Sequence, residues 1–174
     1  MNREIVENII RFVVLILLQG LVLINMNLYD GSMQIYYYIL FILLLPLRTP
    51  PALTMFLAFI LGLCVDMFYN TMGVHASACL VIGFARGRIL ELLAPRDGYD
   101  IKDRPTVSGL GLSWFVQYAV LVTLIHHIWL FLIEAFKVEG ILSTLGSAFL
   151  SVLFTFLVLV LGQFLFHRQR KGAL

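Results

Sequence analysis

Charged residues are scarce. They make up 13% of the 174 residues, while 61% are hydrophobic. A soluble domain ordinarily carries about 25% charged residues, so the composition excludes one and points to an integral membrane protein. Cysteine is nearly absent. Cys64 and Cys79 lie in apolar stretches and make neither a disulfide framework nor a metal set. Both read as small buried hydrophobes. There is no P-loop, which excludes nucleotide hydrolysis of that kind. There is no HExxH and no GxSxG, no run of arginines like a voltage sensor, and no basic surface for nucleic acid. The chain has no low-complexity segment and no clear internal repeat. The first apolar run is followed by no small-x-small cleavage site, so it reads as a retained span and not as a cleaved signal peptide.

What is present is a series of apolar runs. A helical span needs roughly 17–25 residues, and this length has room for about six. The pattern predicts an all-α membrane protein, one domain over 1–174, with helices at 8–27, 33–47, 52–69, 74–93, 110–136 and 141–166. Asp30-Gly31-Ser32 turns the chain after the first. Pro50-Pro51 opens the third, where a missing N–H costs nothing. Tyr36-Tyr37-Tyr38 in the short second helix resembles an interfacial aromatic belt. Asn70 to Gly73 makes a tight turn, so helices three and four form a hairpin. Beyond Ala85, Arg86, Arg88 and Glu91 alternate with apolar residues, which reads as an amphipathic extension with arginines snorkelling to headgroups. In the loop 95–108, Arg96, Lys102 and Arg104 balance Asp97, Asp100 and Asp103, and the aspartate spacing does not fit an EF-hand.

The basic residues give an orientation. Arg3, Arg11, Arg48, Arg86, Arg88, Arg96, Lys102, Arg104, Arg168, Arg170 and Lys171 fall on one side. Of the 12 basic residues only Lys137 falls on the other. The positive-inside rule then places both termini in the cytoplasm, which requires an even number of spans.

Within this apolar chain Asp66 stands out, because an ionisable group in a span costs a few kcal/mol or more. His75 lies across the tight turn, and Asn70 or Thr71 can join them. Asp66 either helps to hold a partner helix, a ligand or a proton, or it caps the turn by bonding backbone amides. His126 and His127 share a helix with Glu134, and His127 and Glu134 lie on one face. No second pair of ligands has metal spacing, so an interior polar contact plus an interfacial acid is the expectation. Neither a metal nor another cofactor is expected. Ser143, Ser147, Ser151 and Thr155 recur every four residues, a small-residue stripe that permits close helix approach with interhelical hydrogen bonds. Gly83-x-x-x-Gly87 offers a second such surface.

The string Gly62-x-x-x-Asp66 followed by Gly73-x-His75-Ala76 resembles the MreD family of bacterial rod shape-determining proteins. The length, the six spans and the inward termini agree with that resemblance. It implies a non-enzymatic membrane component of the machinery that builds side-wall peptidoglycan. The implied partners are an MreC-like protein, the actin-like MreB, a RodA-type glycosyltransferase, a class B penicillin-binding transpeptidase and membrane lipid, at the bacterial cell membrane. The family is also similar in fold to the six-helix substrate-binding components of energy-coupling-factor vitamin transporters. That similarity supplies the alternative, a small-molecule binding module. Helix one offers only Gly20 beside Gln19, so the small-residue docking surface of such components is not apparent.

Overall fold

The computed structural model describes residues 3–26, 33–135 and 141–165, and the side chains of these except at 3, 135 and 141–145. The expected turn at Asp30-Gly31-Ser32, Lys137, the basic residues from Arg168 onward and the Ser143 side chain lie outside them. The regular structure among the described residues is helical, without a strand. Helix α1 spans Arg3–Leu17 and continues through a π-helical turn, Leu18–Val22, and a 3-10 turn, Leu23–Asn25. A one-turn helix α2 covers Leu40–Leu43, followed by α3 Pro51–Tyr69, α4 Val74–Leu92, a short α5 Val107–Leu110, α6 Leu112–Ala135 and α7 Ile141–Leu165.

Among the described residues four segments are long and apolar enough to cross a membrane: Glu4–Asn25, Pro51–Tyr69, Leu112–Glu134 and Gly146–Leu165. Helix α4 is as long as α3, but its last turns carry Arg86, Arg88 and Glu91. Large apolar side chains are exposed along these four segments, among them Ile10, Phe56, Ile128 and Phe149. In water such surface is a liability, whereas in lipid it is the solvent-facing surface. α3 packs most extensively on α4, α4 on α6, and α6 on α7.

The expected second helix is corrected. Residues 33–47 contain only a 3-10 turn, Tyr37–Ile39, and α2. Residues 34–36 carry no helix. The segment is threaded through the interior, with Tyr38, Ile39, Ile42 and Leu43 fully buried. Tyr36, Tyr37 and Tyr38 are therefore not an interfacial belt but part of the core. An irregular backbone at membrane depth is tolerated only where protein surrounds it and answers its polar groups.

The α3–α4 hairpin follows the sequence closely. Pro51 opens α3. Asn70 ends it in the left-handed region at φ 53°, and Gly73 precedes α4 at φ 82°. Cys79 is buried and Cys64 half-buried, both as free thiols. At the far end of α4, the Tyr99 hydroxyl donates to Leu90 O at 2.8 Å and Trp114 Nε1 to Leu93 O at 2.9 Å. These donors answer carbonyls that a helix end leaves unpaired.

Candidate functional site: a buried polar clamp

Asp66 is 4% exposed. One carboxylate oxygen accepts the main-chain N–H of His75 at 3.0 Å and the hydroxyl of Thr71; the other accepts the N–H of Ala76 at 2.9 Å. The carboxylate thus sits on the first turn of α4, where four N–H groups have no intrahelical partner and the helix dipole favours negative charge. Gly62 makes this approach possible. A Cβ there would lie 2.6 Å from both Ala76 N and His75 O. Each position of the Gly62, Asp66, Gly73, His75, Ala76 string therefore has a local cause. Gly62 admits the first turn of α4, Asp66 caps it, Gly73 supplies the positive φ, and residues 75 and 76 donate the amides.

The expected meeting of carboxylate and imidazole is corrected at the same point. Asp66 takes the main chain of His75, while its ring turns inward to Tyr38. Thr71 joins the carboxylate, and Asn70 contributes its backbone conformation at an exposed position.

The inner network is centred on the threaded segment. The Tyr38 hydroxyl lies 2.9 Å from His75 Nδ1 and 2.8 Å from His126 Nε2. A single O–H between two ring nitrogens donates to one and accepts from the other. His127 Nδ1 lies 2.9 Å from the Thr123 carbonyl, which only accepts, so with a neutral ring Nδ1 carries the proton and Nε2 is bare. The Thr155 hydroxyl, 3.3 Å away, then donates to Nε2 and accepts the Tyr36 N–H at 3.1 Å. The Tyr36 ring lies 5.4, 5.7 and 5.2 Å from the rings of His75, His126 and His127. His126 Nδ1 has no partner among the described residues.

Side chains from three helices answer the irregular backbone. Gln19 on the π-helical turn of α1 donates to Ile35 O at 2.9 Å and to the Tyr69 hydroxyl at 2.7 Å, and accepts the Tyr37 N–H at 2.9 Å. Ser151 accepts the Gln34 N–H at 3.0 Å. Arg86 donates to the carbonyls of Leu45 and Pro46 and to the Tyr118 hydroxyl at 2.9 Å. Arg11 donates to Leu44 O at 3.2 Å. Arg86 is 2% exposed, which corrects its reading as a snorkelling residue. Arg88 keeps the exposed role, paired with Glu91 at 3.0 Å.

The stripe on α7 is recast likewise. Ser151 and Thr155 are fully buried and act as hydrogen-bond partners of residues 34 and 36. Ser147 is half-buried. Gly83 does bring helices together: its Cβ would meet Ala58 Cβ at 3.1 Å and Met55 Cα at 3.3 Å. Gly87 faces open space, so the pair is not one packing surface. His126 and His127 make the interior polar contacts expected of them, and Glu134 is half-buried on the same helix. Among the described residues no three His, Cys, Asp or Glu side chains are placed to hold a metal.

Sequence reading missed Gln19, Tyr36, Tyr38 and Arg86 as clamp residues, and Gly162, whose Cβ would lie 3.0 Å from Tyr37 Cζ. The available signal was an uncharged amide in the most apolar part of α1, which in lipid needs a partner as surely as a charge does. Comparison with protein-family models, curated proteins and solved structures gives no match.

Proposed function

We propose that this chain is a non-enzymatic membrane scaffold of the cell-wall elongation machinery. It acts through an MreC-like partner, in a complex with MreB, a RodA-type glycosyltransferase and a class B penicillin-binding transpeptidase. Its place is the bacterial cell membrane, with six crossings and both termini in the cytoplasm. The threaded segment 33–47 is the second crossing and α4 the fourth. The motif resemblance motivates this reading. The observation that favours a scaffold over a transporter's binding module is the filling of the polar interior. Tyr36 and Tyr38 occupy the space among His75, His126 and His127; Tyr38 bonds His75 and His126, and Thr155 bonds His127, which leaves His126 Nδ1 as the ring nitrogen without a partner among the described residues. A binding module needs such polar groups turned toward a ligand.

Depletion tests the proposal. In a rod-shaped host, loss of this protein is expected to give rounded, swollen cells. Purification in mild detergent is expected to recover an MreC-like protein. Cells that keep their rod shape but require a vitamin supplement would establish the transporter alternative instead.

A further inference from the structure

The loop 95–108 folds back on the start of α1. Arg104 reaches Glu4 at 3.3 Å and Glu7 at 3.6 Å. Beside this latch lies a cleft of about 540 Å³, walled by α1, by residues 44–48 and by residues 100–106. Acidic and basic side chains both line it, but they are not equally engaged. Glu4 and Glu7 face Arg104, and Asp103 accepts the Asp100 N–H at 2.8 Å. Arg11 donates to Asn8 Oδ1 at 2.7 Å. Arg48 and Lys102 are exposed and have no partner among the described residues. The Asp100 carboxylate, also on the cleft wall, has no partner among the described residues.

We propose that this cleft holds the phosphate of a phospholipid headgroup between Arg48 and Lys102, with the acyl chains along the adjoining flank of α1. Helical spacing puts Glu4, Glu7, Asn8 and Arg11 on one face, and Ile5 and Ile9 on the flank beside it. Those two isoleucines are each 52% exposed, and Ile101 on the cleft wall is 80% exposed. Unpaired cations next to a continuous apolar helix flank match an amphiphile in both its parts. The cleft also far exceeds what a bare phosphate fills. The inference rests on the chain being a membrane protein and not on the wall-elongation reading.

The test is titration of the full-length protein in mild detergent with short-chain phosphatidylglycerol, followed by native mass spectrometry. The double variant Arg48→Ala, Lys102→Ala is expected to bind about thirtyfold more weakly, since each basic side chain near a lipid surface contributes a factor of about five. Arg48→Lys keeps the charge and is expected to bind normally. Arg88→Ala, outside the cleft, is expected to change nothing. All the substituted side chains are exposed, so thermal unfolding is expected to stay in place and to confirm folded protein. Equal binding by the parent and the double variant overturns the proposal. So does an equal loss in Arg88→Ala, which would show general charge attraction. Displacement of the lipid by equimolar inorganic phosphate overturns the lipid source in favour of a soluble phosphate ligand.

Discussion

A carboxylate inside a span costs roughly 2.5–3.5 kcal/mol at the helix centre, while hydrogen bonds to charged groups contribute about 1.5–3 kcal/mol each. Asp66 receives three, so the bonds outweigh the penalty and the acid stabilises the hairpin. Asp66→Leu removes all three and leaves the amides of His75 and Ala76 unpaired, at about 1–3 kcal/mol each. Asp66→Asn keeps one acceptor and turns its amide hydrogens toward a donor. The expected order of thermal stability in detergent is therefore parent, then Asn, then Leu, with normal amounts of all three in the membrane. A Leu variant that melts with the parent would show that the cap contributes nothing. Gly62→Val is expected to be more damaging than either, because its side chain has only backbone to displace. Rescue of rod shape by Asp66→Leu, despite lowered stability, would assign this residue to folding alone.

The threaded segment 33–47 is the element that sequence periodicity misrepresents. It is apolar over nearly the length of a span, and apolar length alone cannot separate a helix from an irregular strand of chain in a protein-lined tunnel. The hairpin was legible because its signals are local: prolines at the start of α3, Asn70 and Gly73 at the turn, and a charge that needed an explanation. The clamp was not, because Gln19, Arg86, Ser151 and Thr155 acquire meaning only once residues 34–46 lie beside them. Spacing on α7 pointed to residues that do make hydrogen bonds, but their partners are the main-chain N–H groups of Gln34 and Tyr36 and not another helix. Thr155→Val preserves shape and leaves the Tyr36 N–H without its acceptor. Measured hydrogen bonds in membranes average about 0.6 kcal/mol, whereas an orphaned buried donor costs about 1–3 kcal/mol. Thermal unfolding is expected to show the larger loss for Thr155→Val and for Gln19→Leu, and a smaller one for Ser147→Ala. Equal, negligible effects at all three would mean that the segment is held by apolar packing alone.

At the scale of the molecule, the Arg104–Glu4 contact puts the loop 95–108 and the start of α1 at one end, in keeping with the charge-based orientation. Single cysteines at positions 31 and 139, in a background lacking Cys64 and Cys79, are expected to react with an impermeant thiol reagent in spheroplasts. A cysteine at position 100 is expected to stay unlabelled until the membrane is opened, and its labelling in intact spheroplasts would reverse the topology. The clamp also constrains how such a chain comes into being. Synthesis runs from the N-terminus, yet Gln34 and Tyr36 find their acceptors on α7, 117 and 119 residues later. The segment at residues 34–36 is thus made long before the side chains that answer its main-chain groups, and about two thirds of the chain separates the two. The native fold of this segment is therefore expected only once α7 has been made, so that α7 acts as a late stitch that closes the clamp.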